Sequence, residues 1–426
     1  MTANPPDPAP TSPSLFRDSR FRRYFVSAIS SSVGYRLWMF IVPMVAIFLV
    51  DASDFQVGLL HAVMTSVGVL ISLPVGVWLD RLPLKAVLVC ALLGGGIIAL
   101  IIPFAWWSGV LSFGLLAVVA FAAAVSNVLY ETARQSILPL LVDRSKVVEA
   151  NSRLSGVVQA SNFAGPSLGG QIMAFFSAPI TVIASAIGLL FSGLYLLGVK
   201  VEQPEREAKQ DSNLLRDIGI GLRFVMTHKI LGPIAGSNML TNLAMSAYMA
   251  VYILFMARTL GASPGVIGIV LAIGSVGGIA GAFASKRITN RLGQGPVLLY
   301  SLLLLPATIV LFPLATPELL IPIGGLAGAG TGAAIASYNV VQISARQLLT
   351  PGDLLGRVMA TFRFLNFLMA PAGALLGAML ASSWGPREAL ISAAVLSLFA
   401  SLPIVFSAVR KQRDFSQEKV ETATSS

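Results

Sequence analysis

The sequence predicts an all-α polytopic membrane protein, with twelve transmembrane helices in two pseudo-symmetric six-helix bundles. Three observations carry that prediction. The 426 residues are 55% hydrophobic and 11% charged, with a mean hydropathy of +0.81, which is less than half the charged fraction of an ordinary soluble protein. Twelve apolar runs, each long enough to cross a hydrocarbon layer of about 30 Å, follow one another with short breaks. The halves also repeat. The pattern ARQxxxP occurs at Ala133–Pro139 and at Ala345–Pro351, and Gly58, Gly68 and Asp80-Arg81-Leu82 recur as Gly268, Gly278 and Asn290-Arg291-Leu292. Gly165 and Gly169 recur as Gly373 and Gly377, so every displacement falls between 208 and 212 residues. Parallel six-helix repeats of this kind place a cargo site near the midplane, between the halves.

The elements follow in order. Residues 1–20 are Pro-rich and polar, and read as a disordered cytoplasmic N-terminus lacking the apolar core of a cleavable signal peptide. The first bundle, 21–199, holds spans near 24–50, 55–79, 86–107, 110–139, 152–177 and 179–199. The connection 200–229 opens with the charged stretch KVEQPEREAKQDS. It continues as LLRDIGIGLRFV, where Leu214, Ile218, Leu222 and Val225 share one helical face and Arg216 and Arg223 another. That pattern predicts an amphipathic helix lying along the membrane surface. The second bundle, 230–409, holds spans near 230–257, 264–285, 295–316, 318–345, 355–382 and 386–409, and a cytoplasmic tail, 410–426, closes the chain.

Twelve spans put both termini on one side, and the basic residues choose which. Twenty-four of the 29 Lys and Arg fall on the side of the termini, Arg346 among them, against Arg258 and Arg387 opposite, while Arg36, Arg134 and Arg363 lie within spans. Basic loops stay inside, so both termini are expected in the cytoplasm, in a multi-pass protein of the plasma (inner) membrane. The net charge of +10 is therefore a topology signal and not a nucleic-acid footprint. Trp106, Trp107 and Trp384 near outer ends, and Trp78 near an inner one, fit interfacial belts.

Several chemistries are excluded as expectations. Cys90 stands alone, so no internal disulfide or multi-cysteine metal site can form. His61 and His228 have no partner at metal-ligand spacing, so no metal is expected. There is no Gly-Lys dipeptide and hence no P-loop. Gly328-Ala329-Gly330-Thr331-Gly332-Ala333 imitates a dinucleotide loop, but it sits inside a span with no preceding strand and reads as helix packing. No cofactor and no enzymatic activity are expected.

Ionisable and amide residues inside spans mark the candidate site. Glu131 is the one acidic residue away from the ends of a span; a carboxylate there is costly when charged, which makes it the first candidate for proton coupling. Arg134, three residues on, shares its helical face and could neutralise it. Arg36, next to Tyr35 in the middle of the first span, is either a cargo contact or a partner of Glu131. Asn238, Asn242, Asn339, Gln342 and Arg363 in the second half are cargo-cavity candidates or helix cross-links. Met239, Met245, Met249 and Met256 could form an adaptable apolar wall, with lipid contact the alternative.

The loop after the second span, Gly76-Val77-Trp78-Leu79-Asp80-Arg81-Leu82-Pro83-Leu84-Lys85, resembles a signature of the major facilitator superfamily, in which Gly76, Asp80, Arg81 and Lys85 would form a cytoplasmic latch. Pro83 and Leu84 depart from that pattern. Gly165-Pro166-Ser167-Leu168-Gly169-Gly170 is similar to the superfamily's antiporter signature, carried by Gly165, Pro166, Gly169 and Gly170. Tyr130–Pro139, Val148–Leu154 and Leu355–Phe364 resemble the exporter branch that includes macrolide-efflux and siderophore-export proteins. The resemblance implies the major facilitator fold and a proton-coupled efflux antiporter. It would export a small amphipathic molecule such as a drug, siderophore or secondary metabolite, as a monomer, with the bilayer, cargo and protons as its partners. Branch members often carry an acid after the glycine where this chain has Gly34-Tyr35-Arg36. An uptake transporter or uniporter of the same fold stays open, as does a non-transporting receptor or scaffold.

Overall fold

The structure, a computed structural model, describes residues 15–143, 146–199, 201, 214–352 and 354–415, except the side chains of 72–74, 76–81, 148 and 214–217. The first half comprises α1 (Ser19–Phe48), α2 (Asp54–Arg81), α3 (Leu84–Trp107), α4 (Phe113–Leu141), α5 (Val147–Phe175) and α6 (Ala178–Leu197). The connecting helix α7 (Leu214–Thr227) leads to α8 (Leu231–Leu254), which runs on as a π-turn to Thr259. Then come α9 (Pro264–Leu292), α10 (Gln294–Ile309), α11 (Gly325–Leu349), α12 (Leu355–Trp384), α13 (Pro386–Phe399) and the short α14 (Leu402–Val405). Side-chain oxygens open α1, α4 and α9: those of Asp18, Ser112 and Ser263 accept from the backbone N–H of Arg20, Leu115 and Val266, satisfying donors a helix start leaves free.

Among the described residues, eleven helices are long and apolar enough to cross a membrane. The expected twelfth, α5, has the length but not the hydropathy. Its 29 residues include Asn151, Arg153, Gln159 and Asn162, and Gln159 and Asn162 line a cavity between the halves. The twelve long elements begin and end close to the expected spans. Leu15–Arg17 form a 3-10 turn and α1 starts at Ser19, so order begins before residue 20. At the other end, Gln294 and Gly295 donate backbone N–H groups to the carbonyls of Arg413 and Gln412 at 3.0 and 2.9 Å, and Phe415 is fully buried. The first residues of the expected tail thus pack against the start of α10. The connecting helix docks on α12: Thr361 Oγ1 donates to the Ile218 carbonyl at 3.4 Å, and a Cβ at Gly221 would meet the Arg357 carbonyl at 2.6 Å.

The sequence repeat is a packing repeat. In the first half, Gly165 and Gly169 of α5 lie against Arg36 and Phe40 of α1; in the second, Gly373 and Gly377 of α12 lie against Leu243 and Ala247 of α8. The halves meet along two equivalent pairs, α2 with α12 and α5 with α9. Gly58 abuts Ala378 at the first seam. At the second, a Cβ on Gly170 would stand 2.6 Å from the Pro264 carbonyl and 2.9 Å from Gly268 Cα. Small residues permit this approach. The nucleotide-loop mimic behaves likewise, with Gly328 and Gly332 facing Gly274 and Gly278 of α9.

The buried core is divided unevenly. On the face away from α7, one continuous cluster unites both halves, from Trp38, Met44 and Leu60 to Val251, Phe255 and Ala374. On the α7 face the halves keep separate clusters, one around Phe21, Leu88 and Ile137 and the other around Leu298, Val341 and Phe362. Among the described residues, the halves therefore share one core on the far face and keep separate cores on the α7 face.

Candidate functional site

Between the halves lies a two-lobed cavity. One lobe, of about 450 Å³, is bounded by α5, α8, α9 and α11; the other, of about 350 Å³, by α1, α2, α5 and α8. Asn162, Pro166, Met249, Tyr252 and Leu271 border both, so the lobes are continuous. Tyr248 and Tyr252 stack at 5.2 Å with 22° between their planes, and Phe312 stands edge-on to both at 6.1 and 6.4 Å. A long apolar wall with a few polar groups is the usual make-up of a small-molecule site.

Arg36 lines the smaller lobe and Asn339 the larger. Met245 and Met249 face the cavity, whereas Met256 is fully buried and Met239 half-buried. Tyr35 turns away: it is buried and packs on Tyr130, ring centres 5.5 Å apart. The other amides of the second half bind one another. Asn242 Nδ2 donates to the Asn238 carbonyl and to Asn366 Oδ1 at 2.8 and 3.0 Å, and Gln342 Nε2 donates to Asn339 Oδ1 at 2.9 Å. Arg363 is exposed and bridges the halves, donating to Gln135 Oε1 at 3.3 Å.

Glu131 and Arg134 form an ion pair, with Arg134 Nη2 and Nε donating to the same carboxylate oxygen at 2.7 and 3.2 Å. The carboxylate side chain stays 43% exposed and the guanidinium 21%. The pair sits ten residues from the α7-face end of α4, about 15 Å along the helix, which places it deep but within reach of water from the α7 face. Arg36 lies within the electrostatic reach of Glu131 but forms no ion pair with it.

Of the latch residues, Gly76, Asp80 and Arg81 occupy the last turns of α2, with side chains outside the described residues. Lys85 donates from Nζ to the Leu197 carbonyl at 2.8 Å, tying α3 to the end of α6. In the antiporter-like motif, Gly165 and Gly169 seat α5 on α1, Pro166 lines both lobes, and Gly170 forms the far-face seam.

Two features have no counterpart in the sequence reading. His61, Met64 and Met39 line the smaller lobe; their apolar surroundings in sequence look the same whether they face lipid or a cavity. On the far face, Arg258 of the second half bonds to Asp54 and the Ala52 carbonyl, and reaches Asp51 at 3.3 Å, in the first half. These partners are over 200 residues apart, and only their shared side of the membrane hinted at them. Arg346, expected among the loop charges, is only 6% exposed: it bonds to Gln342 and lies over the Phe362 ring, 4.0 Å from its centre.

The chain matches the model of a family described as transmembrane secretion effectors over residues 10–424. It is 22% identical over 317 residues to an uncharacterised MFS-type transporter, YvqJ of Bacillus subtilis, covering 72% of this chain and 73% of that one. It is 25% identical over 300 residues to the multidrug efflux pump Tap of Mycolicibacterium fortuitum, covering 68% and 71%. Its fold superposes on the nucleoside transporter NupG with a TM-score of 0.76 at 10% identity, covering 91% of this chain and 98% of that one. A bacterial homologue of the lysosomal transporter Spinster, solved facing inward and occupied, gives 0.72 at 14%, covering 92% and 97%. Its relatives are transporters and not enzymes, and its own cavity between two helical halves suits a small-molecule cargo. Across almost its whole length, then, this multi-pass membrane transporter belongs to the transmembrane secretion effector family of the major facilitator superfamily.

Proposed function

We propose that the protein exports a small amphipathic molecule across the plasma membrane in exchange for protons, working as a monomer by alternating access. One observation carries the reading most: the halves share a single core on the far face and keep separate cores on the α7 face. The excess of basic residues supports a cytoplasmic α7 face and cytoplasmic termini, and in this reading the cavity loads from the cytoplasm, as an exporter requires. The family description and the efflux pump among the relatives favour the outward direction. Closing the α7 face and opening the far face would need the Arg258 contacts and the Gly170–Gly268 seam to part. The cytoplasmic latch of Gly76, Asp80, Arg81 and Lys85 would hold the alternate state.

For coupling, Glu131 has the right chemistry. Its carboxylate is half-exposed, deep in α4, and bonded through one oxygen to Arg134. A proton taken there removes the counter-charge of Arg134 and changes the field at Arg36, the cavity's cation. Tyr24, Tyr35 and Tyr130 are the other titratable groups near the pair. Everted membrane vesicles containing the protein provide the test, with an imposed acid interior and a panel of fluorescent amphipaths of differing charge. Accumulation that collapses when nigericin abolishes the pH gradient is expected. Accumulation indifferent to nigericin rules out proton coupling, and uptake only in right-side-out vesicles reverses the direction.

A further inference from the structure

Among the described residues that line it, the cavity between the halves carries one permanent charge. Among the residues lining its two lobes Arg36 is the only guanidinium, ammonium or carboxylate; the rest are apolar, aromatic or neutral polar groups, with His61 the single imidazole. Among the described residues nothing neutralises it directly. Arg36 makes no ion pair or hydrogen bond among the described residues, and the nearby carboxylate, Glu131, already receives two donors from Arg134. The position is also fixed. A Cβ on Gly165 would overlap that of Arg36, so α1 and α5 are in close contact at this residue.

A cation inside a span is costly unless water or a partner satisfies it. Arg36 is exposed to a lumen whose other described lining groups are uncharged, and an entering anion would supply the counter-charge that this wall lacks. Tyr252, which borders both lobes, offers an aromatic surface backed by the buried Tyr248 ring stacked on it. Aromatic faces of this kind take planar rings at centroid separations of about 4.5–7 Å. Met249, bordering both lobes, can adapt its shape to what lies on that face.

We infer that the cavity selects an organic anion: a carboxylate, sulfonate or phosphate held by Arg36, on an aromatic body laid against Tyr252. The inference rests on reading the chain as a transporter whose cargo occupies this cavity. It makes Arg36 the residue that sets charge preference, and Gly165 the residue that positions it.

Three probes with one skeleton test it: 2-naphthoate, 2-naphthamide and 2-naphthylmethylammonium, bound to the purified full-length chain in detergent and measured by equilibrium dialysis. A charge-assisted pair in this setting predicts that 2-naphthoate binds on the order of tenfold or more tighter than the amide, with the ammonium weaker still. Arg36→Gln erases the gap between carboxylate and amide, and Arg36→Lys keeps most of it; gel filtration verifies that both variants are folded. Equal affinities for the three probes, preference for the ammonium, no binding of any probe, or a gap that survives Arg36→Gln each overturn the anion site. Proteoliposome flux of the same probes separates this failure from failure of the exporter reading. An Arg36-dependent preference in binding with no gradient-driven movement removes the exporter and leaves the anion site. Gradient-driven movement of all three at equal rates does the opposite.

Discussion

Arg134 and Arg346 occupy the same place in the two halves, 212 residues apart in the repeated ARQxxxP pattern, near the α7-face ends of α4 and α11. Their surroundings have diverged. Arg134 pairs with a carboxylate, Glu131, in a partly hydrated position. Arg346 is buried, bonded to the amide of Gln342 and stacked over Phe362, and its Nε has no partner. A carboxylate can take up a proton and an amide cannot, so titration can change the charge balance beside one arginine only. Duplication supplied two equal cations; under the proposed coupling, the difference in their acceptors would make one half responsive to protons and leave the other fixed.

The largest effect expected of this asymmetry falls on the first half. Glu131→Gln makes α4 resemble α11, and gradient-driven accumulation in everted vesicles should drop to that of vesicles lacking the protein, with cargo binding retained. The reverse change probes the second half. Gln342→Ala leaves the Arg346 guanidinium buried without its amide acceptor and should destabilise the protein by about 2–3 kcal/mol in thermal unfolding. Arg346→Met, which removes the buried charge itself, should be close to neutral. If Arg346→Met proves the worse of the two, Arg346 is more than a fixed packing element.

The far-face contacts come next. Gly170→Leu forces a side chain into the seam with Pro264 and Gly268, and overpacking of about 1–3 kcal/mol should tip the molecule toward opening there. In a Cys90→Ser background, Leu271→Cys in the cavity should then react roughly tenfold faster with an impermeant maleimide from outside. Asp54→Asn should act in the same direction and less strongly. Arg258 and Asp54 are each more than a quarter exposed, and such pairs contribute about 1 kcal/mol at most, so the gain in labelling should stay below about fivefold. No change from Gly170→Leu would mean that the seam does not hold the far face shut.

Spans and repeat were legible in the sequence because the bilayer demands long apolar helices whatever their partners, and because glycines at Gly165, Gly169, Gly373 and Gly377 are needed wherever helices touch. The cavity was less legible. In a soluble helix an apolar face points inward, but in a membrane both the lipid face and a cavity wall are apolar. Met245 and Met249 could not be distinguished from lipid-facing residues, and His61 gave no sign of lining the smaller lobe. The low hydropathy of α5 was itself informative, since its amides are tolerated only beside water or protein. Contacts such as Arg258 with Asp54, or Asn242 with Asn366, depend on how the halves pack and leave no local pattern.

The central claim is that the Glu131–Arg134 pair is the proton switch, and proton movement tests it most directly. Proteoliposomes loaded with cargo and a pH dye, with no imposed pH gradient, would report proton movement as cargo runs down its own gradient. The account predicts a cargo-dependent pH change with the wild-type protein, and cargo movement without that change in Glu131→Gln. An equal pH change in Glu131→Gln, at an equal cargo rate, would contradict it.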